Sequence, residues 1–365
     1  MLDFSLCLCP KCFNIILSKK RELTQVGNWM HNKNEKGVIL SGMRPTGRLH
    51  LGNYFGALEN WVAMQEEYNC IYTVVDIHAL TTVSSPQDIA DIQPNIYEMV
   101  LDWLSAGVDP QKSTLFVQSQ VPEVMTLHTI LSMITPLGWL LRVPTFKEKV
   151  RQLDETEESV NYGLVGYPVL QTADIILYKA DTVPVGQDQL PHLELAREIV
   201  RRFNSKFGET FPEPQAKLTE VPLIRGLDGH QKMSKSIDNH LDLAATEHDT
   251  SQRVLTAFTD PERLRRSDPG RPDICNVYAL HKMFSGEEEV KSVYTECTRA
   301  ERGCVDCKKH LAGSLNRFLE PIRDRRIEFE KRPGLVKEIL EEGCKTARRI
   351  AQDTIEEVYQ KMGLA

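Results

Sequence analysis

The sequence predicts an α/β fold in which a parallel sheet is followed by a helical C-terminal region. Three short apolar runs, at residues 38–40, 71–75 and 114–118, are typical of buried strands. Two segments with helical spacing of apolar residues separate them, from about Asn53 to Glu67 and from Ile89 to Ala106. Strands that alternate with helices form parallel βαβ units, and ligands of such sheets bind beyond the carboxyl ends of the strands.

The pattern changes after Asp228, where a polar loop leads into segments that are almost wholly helical. Two apolar stripes support this; they consist of Leu311, Leu315, Phe318 and Ile322, and of Val336, Ile339, Leu340, Ala347, Ile350, Ala351 and Ile355. We therefore expect an N-terminal extension at 1–35, an α/β domain at 36–228, a helical domain at 229–340 and a C-terminal helix at 341–365.

Composition limits the class of protein. Of the 365 residues, 41% are hydrophobic and 26% charged, the balance of a folded globular chain rather than a disordered one. No run approaches the roughly 18 apolar residues of a membrane helix. The net charge of −7 gives no overall basic signature, so any contact with nucleic acid must use local clusters of Lys and Arg.

The first residues carry Cys7, Cys9 and Cys12 in an apolar run that is followed by basic residues. A secretory signal has the opposite order, with its basic residues first. The C-x-C-x-x-C spacing could hold a metal, but a disordered extension or a misplaced start codon with Met30 as the initiator is the simpler interpretation. Nine cysteines without an export signal indicate a reducing cytoplasm and argue against a disulfide framework.

Two segments have the residues of a phosphate site. Pro45-Thr46-Gly47-Arg48-Leu49-His50-Leu51-Gly52-Asn53 lies between the first strand and the first helix, where Gly52 permits a close backbone approach and His50 and Asn53 offer donors. Lys232-Met233-Ser234-Lys235-Ser236 lies on a polar loop, and its two ammonium groups can neutralise charge on a departing pyrophosphate. A Gly-rich turn often only connects elements, and a Lys/Ser loop is often only solvated. Both together, on these elements, favour nucleotide chemistry.

These residues carry a family resemblance. His50-Leu51-Gly52-Asn53 resembles the His-Ile-Gly-His signature of class I aminoacyl-tRNA synthetases, with Asn53 in place of the second histidine, and residues 232–236 match their Lys-Met-Ser-Lys-Ser signature. With residues 42–47, the variant is similar to tryptophanyl-tRNA synthetases, and the similarity extends from Val38 to the C-terminus. It implies a Rossmann-type nucleotide-binding core, an α-helical anticodon-binding domain, tryptophan, ATP and tRNA(Trp) as ligands, and a homodimer.

The resemblance also implies the residues of the site. His50 and Asn53 would contact the phosphates, and Lys232 and Lys235 would stabilise the transition state. The implied ATP contacts are Arg44, Pro45, Thr46, Gly52, Asn53, Gly186, Gln187, Asp188, Leu223, Lys232, Met233, Ser234, Lys235 and Ser236. Gln187 stands where the family pattern has a glutamate, which puts a carboxylate contact there in doubt. Mg²⁺ would arrive with ATP and need no dedicated protein cage.

A second segment resembles the family's tryptophan-binding residues. In Tyr167-Pro168-Val169-Leu170-Gln171-Thr172-Ala173-Asp174-Ile175, Asp174 matches the aspartate that accepts the indole N–H. Such a buried acceptor discriminates strongly against side chains that lack the donor. Tyr167 and Gln189 match positions that hold the substrate's ammonium group. The alternative for Asp174 is a cap at the start of a helix.

Four cysteines in the helical region, Cys275, Cys297, Cys304 and Cys307, are spaced with gaps of twenty-one, six and two residues. Structural zinc sites usually offer two close pairs, whereas one pair plus two single cysteines also suits an iron–sulfur cluster. The resemblance favours a [4Fe–4S] cluster, which a subset of the family carries on nearly this pattern, over Zn²⁺. Cys70 and Cys344 are expected in the core.

Basic residues around these cysteines are candidate contacts for RNA phosphates. They are Arg263, Arg265, Arg266, Arg271, Lys308, Lys309, Arg323, Arg325 and Arg326. Two alternative functions remain open at this point. A tyrosyl-tRNA synthetase shares the architecture and both signatures, and a synthetase-like RNA-binding or redox protein would keep the fold without a need for the pyrophosphate clamp.

Overall fold

The structure, a computed structural model, describes residues 36–81, 85–152, 156, 159–218, 224–332 and 334–364. The predicted extension at 1–35 with its three cysteines and the predicted adenine contact Leu223 lie outside the described residues. Among the residues described, each helix is too short or too polar to cross a lipid bilayer.

A five-stranded, wholly parallel sheet forms the centre of the fold, in the order β3-β2-β1-β4-β5. Its strands are β1 Val38–Met43, β2 Asn69–Val74, β3 Ser113–Val117, β4 Thr182–Val185 and β5 Gln215–Leu218. The three predicted strands are confirmed within a few residues. The last two strands were not predicted from their apolar pattern, because β4 contains Pro184 and β5 is a short edge strand with polar residues.

The strand order places a topological switch point between β1 and β4. The chain builds the sheet outward from β1 through β2 to β3, then returns to add β4 on the other side of β1. Connections after β1 and after β4 therefore leave in opposite directions and open a crevice at the carboxyl edge of the sheet. Ligands of open α/β sheets bind in such a crevice.

The helices alternate with the strands and then continue alone. They are α1 Leu51–Asn53, α2 Glu59–Met64, α3 Asp76–Ala79, α4 Pro86–Ala90, α5 Ile92–Ala106, α6 Glu123–Ile134, α7 Leu137–Leu140, α8 Pro144–Gln152, α9 Tyr162–Leu177, α10 Leu190–Phe207, α11 Glu247–Leu255, α12 Asn276–Phe284, α13 Glu287–Thr298, α14 Cys304–Glu330 and α15 Leu335–Met362. A π-helical segment, Tyr54–Leu58, joins α1 to α2. The first predicted helix thus begins two residues early, and the predicted helix at 89–106 is divided at Asp91.

Aromatic packing fixes the first helices on the sheet. Trp61 of α2 stacks on Tyr72 of β2 with ring centroids 4.3 Å apart, and Trp103 of α5 meets Trp61 edge-on. The hydroxyl of Tyr72 donates to the carbonyl oxygen of Trp61 at 2.8 Å, so burial leaves that group satisfied. Each such side chain stabilises the fold by about 1.5–3 kcal/mol through burial. The segment that follows β1 is therefore held rigidly.

The predicted C-terminal stripes face the core. Leu311, Leu315 and Ile322 are buried on α14, and Phe318 is partly buried against the same cluster. In the second stripe Ile339 is partly buried and the other members are buried. Cys70 is buried as expected, whereas Cys344 is only half-buried and donates to the carbonyl oxygen of Gln120, so its placement in the core was wrong.

Candidate active site

The residues of the first signature form the turn between β1 and α1, at the carboxyl edge of the sheet. His50 has an extended backbone and starts the helix, and its N–H donates to Oδ1 of Asn53 at 3.0 Å. Backbone bonds tie the turn to a distant segment: Leu51 N–H donates to Leu241 O at 2.9 Å, and Leu243 N–H to Leu49 O at 2.8 Å. The turn is shaped before any ligand arrives.

His50 is buried among cationic neighbours. Burial, together with the nearby His240, Lys235 and Lys232, lowers the pKa of its imidazole to about 4. At neutral pH the ring is therefore uncharged. Its Nδ1 is buried without a hydrogen-bond partner in the described part of the chain. A neutral imidazole can donate to or accept from a ligand without adding charge.

Gly52 is required by close packing inside the turn. A Cβ at this position would lie 2.9 Å from Cε1 of His50 and 3.4 Å from Cβ of Met233. Any other residue would push the imidazole or the second signature loop aside. The structure thus gives a packing reason for this glycine, in addition to the predicted close approach to a nucleotide.

The second signature lies on a loop anchored by Met233. Its side chain is 2% exposed and packs in the core, and its N–H donates to Ile224 O at 3.2 Å. Asn239 holds the loop from the other side, because its Oδ1 accepts from Ser234 N–H at 2.7 Å. Ser234 and Ser236 are linked through their hydroxyls at 2.9 Å. Met233 can therefore reach a nucleotide only through its backbone, whereas Lys232 lies exposed beside it.

Lys235 joins the two signatures. Its Nζ donates to the carbonyl oxygen of Thr46 at 2.9 Å, a contact between residues 189 positions apart. Burial lowers the pKa of this ammonium group from its ordinary value. A third predicted ATP contact, Arg44, lines a cavity beside the turn together with Pro45 and Thr46. The loops that were predicted to share a nucleotide do meet.

The turn after β4 supplies the remaining predicted ATP residues. Gly186 directly follows the strand, Gln187–Gln189 form a 3-10 turn, and α10 comes next. A Cβ on Gly186 would lie 2.7 Å from Oδ1 of Asp188, so glycine lets the carboxylate fold back over the strand end. Gln189 donates to the same carboxylate at 2.8 Å. Since β4 lies next to β1, this turn and the first signature flank the switch point.

Asp174 lies inside α9 rather than at its start, so the alternative of a helix-entry cap was wrong. The carboxylate is 4% exposed. Gln118 Nε2 donates to both of its oxygens at 2.9 and 2.8 Å, and His78 Nε2 lies 2.9 Å from Oδ2. A buried carboxylate held by two polar side chains is oriented to accept one further hydrogen bond.

His78 and Gln118 were not predicted as site residues. Both lie beyond the carboxyl end of a strand: His78 is on α3, four residues after the end of β2, and Gln118 directly follows β3. Gln118 is fully buried, and its Oε1 accepts from Ile77 N–H at 3.1 Å. Polar residues just beyond strand ends were the available signal, because that edge of a parallel sheet carries the ligands.

Tyr167 contacts α10, the helix that directly follows Gln189. The hydroxyl of Tyr167 lies 2.6 Å from Nε2 of His192, which is three residues after Gln189. Tyr167 and Asp174 share α9. The three residues predicted to bind the amino acid therefore lie on adjoining elements beside the sheet edge.

The four cysteines predicted as ligands line one small cavity, although the first and the last are 32 positions apart. Cys275 precedes α12, Cys297 lies near the end of α13, and Cys304 and Cys307 begin α14. No group of three or more His, Cys, Asp or Glu side chains among the described residues is arranged as a metal-binding set. The structure thus brings the thiols together without showing a metal site.

Donors surround this cavity. Nη1 of Arg263 lies 3.6 Å from Sγ of Cys297 and 3.8 Å from Sγ of Cys304, and His281 Nε2 lies 3.5 Å from Sγ of Cys307. Burial, followed by the neighbouring thiols, raises the pKa of Cys307 to about 12. The thiol of Cys307 is therefore protonated at neutral pH as it stands, and would ionise only in the presence of added positive charge.

One candidate RNA contact is excluded by its position. Arg326 is 4% exposed, and its guanidinium pairs with Asp102, Glu98 and Glu330 inside the fold. It is not available to a phosphate at the surface. Arg265 and Arg266 are exposed beside the cysteines and remain candidates.

The chain is similar to proteins of one family over most of its length. Residues 32–320 match the family model of class I tRNA synthetases for tryptophan and tyrosine. The tryptophan–tRNA ligase of Thermotoga maritima is 48% identical, over 89% of this chain and 99% of that protein. The ligase of Aquifex aeolicus is 42% identical over the same shares.

Solved structures agree. Tryptophanyl-tRNA synthetase from Campylobacter jejuni, crystallised with ADP and tryptophan, is 35% identical with a TM-score of 0.80, over 90% of this chain and all of that one. The tyrosyl enzyme from Archaeoglobus fulgidus has a TM-score of 0.58 at 20% identity, which shows a shared fold only. The relatives at high identity are thus of the tryptophan type. The chain belongs to the class I tRNA synthetases for tryptophan and tyrosine, and within them to the tryptophan–tRNA ligases.

Proposed function

We propose that this chain activates L-tryptophan with ATP at the switch point between β1 and β4 and then transfers it to the terminal ribose of tRNA(Trp). The tryptophan carboxylate attacks the α-phosphorus, pyrophosphate leaves, and the adenylate acylates the tRNA. The contact between Lys235 Nζ and Thr46 O supports this most directly, because it joins the two phosphate signatures at the sheet edge. Reactions of this phosphoryl-transfer type are accelerated mainly by positioning of the reactants and by stabilisation of charge.

We assign His50 and Asn53 to the phosphates and Lys232 and Lys235 to the charge that develops on pyrophosphate. The lowered pKa of His50 supports a role as a neutral hydrogen-bonding group. The other predicted ATP contacts, from Arg44 to Thr46 and from Gly186 to Asp188, flank the same crevice. Mg²⁺ would arrive bound to ATP.

We assign tryptophan recognition to Asp174, with Tyr167 and Gln189 at the ammonium group. The buried carboxylate supports this, because Gln118 and His78 hold it from the protein side and leave it to accept an indole N–H. A side chain without that donor would leave a buried acceptor unpaired.

ATP–pyrophosphate exchange with each of the twenty amino acids tests the proposal. Exchange with tryptophan alone is expected. Exchange with tyrosine in its place would refute the specificity, and exchange with no amino acid would refute the enzyme.

We further propose that residues 36–228 form the catalytic domain and that residues 229–340 contact the anticodon of tRNA(Trp). Exposed arginines beside the cysteine cavity, among them Arg265 and Arg266, support the second part. Filter binding of tRNA(Trp) to Arg265→Ala and Arg266→Ala, across a range of salt concentration, tests it; an unchanged affinity and salt slope in both would contradict this surface.

We propose that the cysteine cavity holds a [4Fe–4S] cluster, with Zn²⁺ as the alternative. Four thiols that line one cavity support a resident metal centre, since four cysteine thiolates are the usual ligands of an iron–sulfur cluster. Cys275, Cys297, Cys304 and Cys307 would hold it away from the reacting atoms, in a structural or RNA-facing role. Visible absorbance of anaerobically purified protein, lost in Cys304→Ser, is expected; a colourless protein that contains zinc would favour the alternative.

We propose a homodimer in the cytoplasm. Three apolar side chains near α6, α7 and the start of α9 support the dimer, because Met133, Leu137 and Tyr162 are 76%, 59% and 67% exposed. The cysteines in the described residues are free, which fits a reducing compartment. Light scattering of the purified protein tests the dimer, and a monomer at micromolar concentration would refute it.

A further inference from the structure

A buried ion pair joins α5 of the sheet region to α14 of the helical region. The guanidinium of Arg326 donates through Nη1 to Oδ1 of Asp102, a residue 224 positions earlier in the chain. The Asp102 residue is fully buried and Arg326 is 4% exposed. Neither side chain is part of the crevice.

The other oxygen of Asp102 holds the signature turn. Its Oδ2 accepts from the backbone N–H of Leu49 at 2.6 Å, and both groups are buried. Leu49 directly precedes His50 and is itself fully buried. The carboxylate therefore fixes the backbone one residue ahead of the imidazole that faces the crevice.

Arg326 is fixed by two further carboxylates. Its Nη2 donates to Glu98 at 2.5 Å and its Nε to Glu330 at 2.9 Å. Glu98 also accepts from Nε of Arg48 at 3.0 Å, so the network holds both residues before His50. Every guanidinium nitrogen of Arg326 thus has a partner, and the orientation of Arg326 relative to Asp102 is fixed.

A second bond between the same helices keeps them in register. Arg325, on the next position of α14, donates through Nε to the carbonyl oxygen of Ser105 on α5 at 2.5 Å. The position of α5, and with it Asp102, therefore follows that of the 27-residue helix α14.

Stability alone does not account for this pair. Desolvation of both partners cancels most of the attraction in a buried ion pair, and apolar residues of equal volume are often as stable. Burial raises the pKa of Asp102 to about 6 in spite of Arg326, which shows the cost of ionising it there. An apolar replacement would, however, leave the N–H of Leu49 without an acceptor.

We propose that Asp102 and Arg326 are positioning residues for ATP. They connect helix α14 to the backbone of Leu49, and so orient His50 and Asn53 towards the triphosphate. This inference rests on the proposed phosphate role of the turn. The pair touches no reacting atom and acts through the turn alone. Small displacements of groups that position a substrate lower rates by up to about 100-fold.

The positioning role can be tested by steady-state pyrophosphate-exchange kinetics of Asp102→Asn and Arg326→Met. The concentrations of ATP and of tryptophan are varied separately. We expect the KM for ATP to rise about tenfold and kcat to fall, with the KM for tryptophan unchanged. The double variant should be no worse than either single variant, because both act through one contact chain. Should Arg326→Met not fold, Arg326→Lys carries the test, since it keeps the charge and loses the forked contacts.

Lys179→Met is the matched control, because Lys179 and Glu357 form an ion pair over 178 positions far from the turn. It should lower thermal stability and leave the KM for ATP unchanged. Equal loss of stability in all variants with unchanged KM for ATP would overturn the inference. The Kd of ATP, measured by calorimetry on the same proteins, tests the positioning role independently of activity. A wild type that shows no exchange would refute the proposed function. A Kd that is unchanged in the variants would refute the positioning role.

Discussion

The crevice at the sheet edge and the cysteine cavity both gather chemically active side chains, but they differ in how complete they are. At the crevice two charged side chains already have partners in the protein: Lys235 bonds to Thr46, and Asp174 to Gln118. In the cavity the thiol of Cys307 has a raised pKa and a single histidine at 3.5 Å. A site for a substrate that comes and goes must hold its shape while empty. A site whose thiols bind a resident metal reaches its full set of interactions only when the metal is bound.

The two sites also sit on different kinds of structure. The crevice is built from turns at the ends of parallel strands, which the sheet places side by side whatever their distance in sequence. The cavity is built from the ends of three helices, so its geometry depends on how those helices pack. We therefore expect changes at the crevice to affect catalysis and changes at the cavity to affect stability.

Lys235→Ala should have the largest effect on the crevice. Removing a cation that stabilises developing charge costs about 3–4 kcal/mol, or roughly 100- to 1000-fold in kcat for pyrophosphate exchange. Lys345→Ala, whose side chain is 74% exposed on α15, serves as the control and should match the wild type. A fall in kcat of less than threefold in Lys235→Ala would show that Lys235 does not stabilise the transition state.

Asp174→Asn should affect tryptophan and spare ATP. The amide keeps the size of the carboxylate but presents a donor and no charge, so the KM for tryptophan should rise about 100-fold. The KM for ATP in the same assay is the internal control, because Asp174 has no predicted nucleotide contact. Equal changes in both constants would indicate a general collapse of the site and contradict the assignment.

Cys304→Ser should distinguish the role of the cavity from that of the crevice. If the cavity holds a metal centre, the variant should lose the metal and melt about 5 °C lower, with exchange activity within about twofold of the wild type. Cys344→Ser changes a half-buried thiol outside the cavity and should leave the metal content intact. An identical metal content in both variants would contradict a cluster at Cys304.

The smallest effect concerns pH and His50. Its folded pKa of about 4 lies below the unfolded value, so the unfolded chain binds more protons between pH 6.5 and 4, and stability falls as pH falls through that window. His50→Gln should reduce this loss, measured by urea unfolding at pH 7 and pH 5. His248→Gln, at an exposed position, is the control. Equal pH dependence in the wild type and His50→Gln would show that the imidazole is not held neutral.

Much of the fold and of the site could be predicted because local patterns carry it. The three apolar strands and the two signatures depend on short runs of residues, and each was located within a few positions. Strands β4 and β5 were missed because Pro184 and the polar edge residues break the apolar pattern that marks a buried strand. His78 and Gln118 were missed because no spacing in sequence links them to Asp174, 96 and 56 positions away.

The sequence by itself determined the fold class, the two phosphate signatures and the family, because these depend on periodicity and on contiguous residues. Only the tertiary structure decided which side chains meet. It placed Arg326 inside the fold rather than at an RNA surface, it joined Lys235 to Thr46, and it set Asp102 behind Leu49. Such long-range pairs arise when elements pack, and a one-dimensional pattern does not contain the distances that packing creates.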